Sequence, residues 1–264
     1  MQQISFETVN DKTLISTFEA EWRNSLTFPN DDYWDWIIET SQYWALILND
    51  KLVGYACVSK NNNLLQFYLT TEYAKFGKHI FELFIKEQAI KKGFVYTNNP
   101  VFLSTAMPFQ HSVKVDGYLF KDVIDFPLKE KEGVFRQAEK DDLEALVDFS
   151  HIALQAPKDW LRNYIGNWID REEFFILETE KGIIGTSEAR TTSTNPNVAS
   201  LGVVVSPNYR KQGYGTYLLG KAKVIAKSKN QQAICSCSND NLGSLKAIEN
   251  NGFRILHTSL CLSF

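Results

Sequence analysis

The sequence predicts an α/β fold with a mixed sheet, and it predicts that this fold occurs twice in tandem. Short strand-like runs alternate with segments of helical periodicity, which is the pattern of sheet domains with connecting helices. A polar segment with proline and glycine lies near the middle of the chain. Four segments of the first half also recur, in the same order, in the second half. The length of 264 residues exceeds that of one average domain.

The second half gives the clearest pattern of elements. Turn residues separate its strand-like runs, and Gly252 is expected to end the last helix as a left-handed cap. In chain order we predict a strand at about 134–138, helices at about 141–155 and 158–169, strands at about 174–179, 182–191 and 198–205, a helix ending near Lys229, a strand at about 233–238, a helix beginning near Asn241 and a closing strand at 253–264.

The best candidate for a linker is the segment 127–133, with the sequence PLKEKEG. It combines a proline, alternating charges and a glycine. The predicted domains are therefore residues 1–126 and 134–264.

The similar segments indicate a tandem duplication. FETVNDKTL at 6–14 corresponds to FRQAEKDDL at 135–143, and FYLTTEYAKFGKHIF at 67–81 corresponds to VVVSPNYRKQGYGTY at 203–217. YWALILNDKLVG and FFILETEKGIIG form a third pair, and VDGYLF and NNGFRI a fourth. The alternative is chance similarity between two unrelated α/β domains. Four matches in one order favour duplication.

Composition excludes several classes of protein. A net charge of −3 gives no bulk attraction to nucleic acid or anionic membranes. No apolar run reaches the roughly 18 residues of a membrane span, and the N-terminus lacks a signal-peptide pattern. The four cysteines are too few and too irregular for a disulfide scaffold, and neither they nor the histidines have metal-ligand spacing. We expect a cytoplasmic protein without a metal.

The stretch VVVSPNYRKQGYGTYLL, at 203–219, predicts an anion site. A strand ends there and a helix begins, so backbone N–H groups lack intrahelical partners and the helix dipole adds positive charge. Gly213 and Gly215 remove side chains that would keep an anion from the backbone, and Arg210 and Lys211 add charge. Such a corner suits a phosphate or a diphosphate.

Two common phosphate motifs do not fit this corner. A nucleoside triphosphate loop requires Lys followed by Ser or Thr after its second glycine, and none is present. A dinucleotide fingerprint requires a third glycine where Leu218 stands. The glycines alone are also compatible with a tight connection that binds nothing.

The full string V-x-V-x-P-x-Y-R-x-x-G-x-G-x-x-L resembles the acetyl-CoA motif of the GCN5-related N-acetyltransferase (GNAT) superfamily. Downstream, NDNLGSLKAIENNGF at 239–253 resembles the last motif of that family. The resemblance covers residues 134–264 and implies two tandem GNAT-like domains that use acetyl-CoA as co-substrate.

The resemblance also implies which residues bind the coenzyme. The backbone of the corner would hold the diphosphate, the preceding strand would pair with the pantetheine arm, and two residues of the last motif would contact that arm from the other side. In this chain the implied residues are Val203, Val204, Val205, Arg210, Lys211, Gln212, Gly213, Tyr214, Gly215, Thr216, Asn241 and Ser244.

For catalysis, the resemblance implies direct attack by an amine without a covalent enzyme intermediate. Glu188 is our candidate general base, with Glu178 as a weaker option and a solvent-facing strand position as the alternative. Many relatives carry a tyrosine where Ile248 stands, so the group that meets the leaving thiolate stays open. Cys237 is a less favoured nucleophile, because no histidine stands near it in sequence.

The first half departs from the motif. Ala74 replaces the arginine of the corner and His79 replaces its second glycine, and both changes disfavour an anion. We therefore expect a degenerate copy with an architectural role. Its aromatic segment 30–44, and the corresponding segment 160–168, could form an acceptor pocket, a homodimer surface or ordinary helix packing.

Three functions remain in question. The favoured hypothesis is an N-acetyltransferase acting on an amine of a small molecule or amino-acid derivative. A non-catalytic acyl-CoA sensor and a protein-lysine acetyltransferase are the alternatives.

Overall fold

The chain divides into two units, each with its own helices and its own series of strands. The computed structural model describes residues 3–264. Residues 1 and 2 lie outside the described part; they belong to the predicted first domain and to the N-terminal segment that lacks a signal-peptide pattern. The first unit runs to Tyr118 and also includes His257–Phe264, and the second unit is Leu119–Leu256.

Among its described residues, the first unit contains four α-helices and a series of sheet strands. Its elements are β1 (Ile4–Val9), α1 (Ser16–Ser25), α2 (Asp32–Glu39), β2 (Gln42–Leu48), β3 (Lys51–Val58), β4 (Asn63–Leu69), α3 (Gly77–Glu87), β5 (Lys92–Tyr96), α4 (Pro100–Ala106) and the start of β6 (Ser112–Asp122). Two clusters of buried apolar residues form its core. One contains Phe81 of α3 and Phe102 of α4, and the other contains Trp22 of α1 and Ile38 of α2.

The second unit confirms the predicted order of elements. They are β7 (Val134–Gln137), α5 (Leu143–Leu154), α6 (Lys158–Asp170), β8 (Phe174–Thr179), β9 (Gly182–Thr191), β10 (Val198–Val205), α7 (Tyr214–Ser228), β11 (Gln232–Ser238), α8 (Leu242–Asn250) and the start of β12 (Phe253–Ser263). Gly252 has φ +82°, so the predicted left-handed residue after the last helix is confirmed.

The strand order repeats between the units, which is what a duplicated fold predicts. In the first unit the order is β1-β2-β3-β4-β5, followed by residues 257–263 of β12; in the second it is β7-β8-β9-β10-β11, followed by residues 119–122 of β6. In each unit the fourth and fifth strands of this series are parallel to each other, and the three strand pairs before them are antiparallel. The predicted α/β fold with a mixed sheet is therefore confirmed.

The units and the predicted domains divide the chain differently. Residues 257–264 belong to the first unit, and residues 119–133 belong to the second. Register pairs Ser259 of β12 with Tyr96 of β5, and backbone pairing of this kind decides which unit a strand belongs to. The division at 126 and 134 stays a proposal about the two sequence repeats.

The aromatic side chains of the first segment, 30–44, mainly pack between helix and sheet. Trp34 meets Tyr96 edge-on at 5.1 Å, and Tyr43 is 2% exposed. Tyr33 and Trp36 instead stack on each other at the surface.

The described chain has no helix with the length and apolar character needed to cross a bilayer.

A buried carboxyl in the first unit gives its stability a defined pH dependence. Asp35 is 5% exposed and accepts hydrogen bonds from Asn30 Nδ2 at 3.0 Å and Arg23 Nη1 at 3.5 Å. Burial is the largest influence and raises the pKa of Asp35 to about 6. The folded state therefore binds this proton more tightly than the unfolded chain does.

We expect Asp35→Asn to remove a pH-dependent loss of stability. For the wild type, the free energy of unfolding should fall by about 2 to 3 kcal/mol as pH rises from about 4 to about 6, and stay lowered above that. The variant should lose less over this range in urea titrations. Glu39→Gln, an exposed carboxylate near the same arginine, is the control. Parallel wild-type and Asp35→Asn profiles would contradict the prediction.

Candidate active site

A cleft opens between β10 and β11, where the two parallel strands separate. Their register holds from Val198↔Gln232 to Ser200↔Ile234 and then ends, although both strands continue. The cleft has a volume of about 990 Å³. All but two of the predicted coenzyme-binding residues line it, and the exceptions are Gln212 and Tyr214.

The corner after β10 contains two residues with left-handed backbone. Pro207–Tyr209 form a 3₁₀ turn, then Lys211 has φ +61° and Gly213 has φ +85°. Left-handed residues in a turn bring neighbouring N–H groups to one concave side, an arrangement that binds anions. Helix α7 begins at once with Tyr214, and the N–H groups of its first turn have no intrahelical acceptor. The predicted strand–corner–helix arrangement is confirmed.

The cations at this cleft lack acidic partners. Arg210, Lys211 and Lys246 all line it, and within residues 3–264 none of the three forms an ion pair with a carboxylate. Arg210 donates instead to two carbonyls, Val205 O at 3.3 Å and Ala153 O at 2.9 Å, and so braces the end of β10 against the end of α5. The uncompensated charge favours a ligand with several negative charges.

A second helix begins at the same cleft. Asn241 is the N-cap of α8, and its Oδ1 accepts a hydrogen bond from the Ser244 N–H at 3.1 Å. Both predicted residues therefore shape a helix N-terminus, which adds to the positive potential of the cleft. Lys246, on the same helix, was not among the predicted binding residues.

The candidate base Glu188 is buried beside the cleft. It lies on β9 directly opposite Gly202 of β10, which lines the cleft. A Cβ at position 202 would lie only 3.2 Å from Glu188 Oε2 and 3.3 Å from its Cδ. The missing side chain leaves room for the carboxylate behind Gly202, although Glu188 itself is not among the residues that line the cleft.

The two carboxylate oxygens of Glu188 differ in their hydrogen-bond partners. Oε2 accepts a hydrogen bond from the Tyr164 hydroxyl at 2.8 Å and lies 3.2 Å from Arg190 Nε. Arg190 also donates to Tyr164 Oη at 2.6 Å and to Ser200 Oγ at 3.2 Å. Across residues 3–264, Oε1 accepts no hydrogen bond. Oε1 is therefore the oxygen of this carboxylate that has no hydrogen-bond donor within the described residues.

Sequence reasoning missed Gly202 and Arg190 and left the role of Tyr164 open. A glycine inside a strand indicates close approach of another group, so Gly202 carried a readable signal. Arg190 carried none, because its partners come from α6 and β10 as well as from its own strand.

The other candidates for catalysis have different surroundings. Glu178 accepts a hydrogen bond from Arg136 Nε at 2.6 Å and is therefore part of a surface ion pair. Burial, assisted by nearby Glu249, raises the pKa of Cys237 to about 11, so its thiol stays protonated at neutral pH. Ile248 lines the cleft and is 5% exposed.

The corresponding corner of the first unit has a different backbone. Residues 71–76 form a 3₁₀ turn that continues into α3 at Gly77, and none of residues 71–79 adopts a positive φ. Helix α4 packs on both β4 and β5, with Phe102 fully buried. The backbone carbonyl of Asn98, just beyond β5, accepts a hydrogen bond from the Thr27 N–H at 3.0 Å.

Comparison with protein families gives one match for each half. The description "Acetyltransferase (GNAT) domain" matches residues 11–123, and "Acetyltransferase (GNAT) family" matches residues 138–253. The chain therefore belongs to the GNAT superfamily and carries two of its domains in tandem. A comparison with curated proteins gave no match.

Solved structures share the fold over nearly the whole chain. A GNAT-family acetyltransferase from Colwellia psychrerythraea is similar at 24% identity with a TM-score of 0.91, over 98% of this chain and 99% of that one. A GCN5-related N-acetyltransferase from Sphaerobacter thermophilus gives 14% identity and 0.68, over 98% and 94%. A tandem GNAT protein from the clavulanic acid biosynthesis pathway gives 13% and 0.65, over 99% and 98%. At these identities the likeness concerns the fold.

Proposed function

We propose that the second half, residues 134–264, is an acetyl-CoA-dependent N-acetyltransferase that acts on an amine of a small molecule or amino-acid derivative. The observation that carries this proposal is the cleft between β10 and β11, which has two left-handed residues at its corner and is lined by three cations without a carboxylate partner among residues 3–264. A GNAT domain makes acyl transfer the expected chemistry. A cytoplasmic location is part of the same proposal.

The residues of the cleft fit the parts of the coenzyme. N–H groups of residues 210–216 and the helix dipole of α7 suit the diphosphate. Within residues 3–264, β10 has no strand partner on its β11 side beyond Ser200, so the backbone of Val203–Val205 suits the amides of the pantetheine arm, which would lie along it like an added strand. Asn241 and Ser244 stand at the opposite wall.

Glu188 is the proposed general base. The coenzyme supplies a thioester whose C–S bond breaks as the C–N bond to the acceptor amine forms. Oε1 takes the proton that the acceptor ammonium must lose, while Tyr164 and Arg190 hold Oε2. A backbone N–H of β10 is the proposed donor to the developing negative charge on oxygen. No tyrosine of residues 3–264 lines the cleft, so the leaving thiolate is assigned to solvent.

Release of free thiol from acetyl-CoA in the presence of an amine panel tests this function. We expect turnover with at least one small amine or amino-acid derivative, and no turnover without an acceptor. A lysine-containing peptide in the panel tests the protein-lysine alternative.

One observation supports the sensor alternative: Ile248 stands at the position where many relatives have a tyrosine. Tight acetyl-CoA binding without turnover for every amine would support the sensor and contradict the enzyme.

The first half is proposed to be a degenerate copy with an architectural role. Because its corner lacks left-handed backbone as well as the second glycine, we expect one acetyl-CoA per chain by calorimetry. His79→Gly should leave that stoichiometry at one. A stoichiometry of two in the wild type would contradict the proposal.

A further inference from the structure

The linker segment 127–133 packs on helix α7 of the second unit. Glu130 accepts a hydrogen bond from the Tyr217 hydroxyl at 3.0 Å and lies 3.6 Å from Lys221 Nζ. Leu128 lies so close to Gly220 that a Cβ there would be 2.4 Å from its Cδ1. These contacts fix the linker beside the helix whose N-terminus forms the coenzyme corner.

The linker brings a lysine to that corner. Lys131 Nζ donates a hydrogen bond to the Gln212 carbonyl at 2.7 Å. Its Cε and Nζ lie 3.3 and 3.4 Å from where a Cβ of Gly213 would stand, and Nζ is 5.4 Å from the centre of the Tyr214 ring. The ammonium therefore lies where the left-handed turn ends and α7 begins.

The charge of Lys131 is uncompensated at this position. Over residues 3–264 its ammonium forms no ion pair with a carboxylate. Of its two acidic neighbours in sequence, Glu130 is engaged by Tyr217 and Lys221, and Glu132 is exposed. A cation beside the positive end of a helix dipole is unfavourable by itself. Lys211 adds a like charge in the same turn. An anion at the corner offsets both the unfavourable interaction with the helix dipole and the repulsion between Lys131 and Lys211.

We propose that Lys131 binds a phosphate group of the coenzyme, so that the linker between the two repeats supplies part of the binding site. This rests on the proposed function, because it takes coenzyme A as the ligand of the corner. An ammonium has three donors, and Lys131 uses one on Gln212. Coenzyme A offers two sources of phosphate oxygens, the diphosphate and the 3′-phosphate.

Calorimetric titration of the full-length chain with CoA tests the proposal. We expect Lys131→Gln to weaken CoA binding about tenfold at low salt, and Lys131→Arg to retain most of the affinity. The difference from wild type should shrink as salt is raised. Lys129→Gln is the matched control, since it removes the same charge from an exposed position of the same linker.

Titration with dephospho-CoA, which lacks the 3′-phosphate, identifies the contacted group. An equal loss with both ligands assigns Lys131 to the diphosphate, and a loss with CoA alone assigns it to the 3′-phosphate. Equal CoA affinity for wild type and Lys131→Gln overturns the proposal, as does an equal loss in Lys129→Gln. If the wild type binds no CoA at all, the proposed function fails first, and the two failures are thereby distinguished.

Discussion

Replacing Gly215 by glutamate is expected to abolish acetyl-CoA binding and leave the second unit folded. Gly215 lies in the first turn of α7 and lines the cleft. A carboxylate about 4 Å from a diphosphate costs roughly 4 kcal/mol at the effective dielectric of a protein surface, which is about a thousandfold in affinity. Calorimetry with acetyl-CoA measures the loss.

Two comparisons separate binding from folding in this variant. An acidic residue near a helix N-terminus interacts favourably with the dipole, so the melting temperature of Gly215→Glu should not fall. A Cβ at this position would meet Ala247 Cβ at 3.7 Å and Val205 Cγ2 at 3.8 Å, which are ordinary contacts. Gly215→Ala should therefore fold normally and lose far less affinity. Unchanged acetyl-CoA affinity in Gly215→Glu would refute the corner as the coenzyme site.

Replacing Glu188 by glutamine is expected to lower kcat by about 10²- to 10⁴-fold, the usual contribution of a general base. Glutamine keeps the shape of the side chain and can still accept a hydrogen bond from Tyr164, but it cannot take the proton. Acetyl-CoA affinity should stay unchanged, because no phosphate contact is altered. Steady-state kinetics together with calorimetry separate the two quantities.

The buried ion pair with Arg190 requires a control for stability. Breaking such a pair can cost about 3 to 5 kcal/mol, although Arg190 keeps its hydrogen bonds to Tyr164 and Ser200. Activities should therefore be compared well below the melting temperature of the variant. Glu178→Gln, which removes the weaker candidate on the adjacent strand, should keep nearly full kcat. A kcat within tenfold of wild type for Glu188→Gln would exclude Glu188 as the base.

Much of the second unit could be predicted because its signals are local. The corner needs residues that tolerate positive φ, and the helix after it needs apolar residues at regular spacing; both requirements fall on neighbours in sequence. Gly213 and Gly252 adopt the left-handed conformations that such positions favour. Lys211 adopts one without being glycine, which the sequence did not reveal.

The surroundings of Glu188 could not be predicted from spacing. The sequence places Glu188 in a strand next to the expected cleft. The hydroxyl that donates to its carboxylate belongs to Tyr164 of α6, and the nearby cation is Arg190, two positions further along β9. The space beside the carboxylate exists because Gly202 of β10 has no side chain. Each of these depends on how helix and strands pack, so the pattern of one segment does not contain it.

By itself the sequence determined the α/β class, the order of elements in the second half, the duplication and the strand–corner–helix arrangement, because hydrogen-bonding periodicity and backbone conformation are set by residues close together in the chain. The tertiary structure alone decided that residues 257–264 pair within the first unit and that Lys131 reaches the Gln212 carbonyl, 81 positions away. Contacts over such separations form only when packed elements bring them together, and apolar burial rather than local preference provides that driving force.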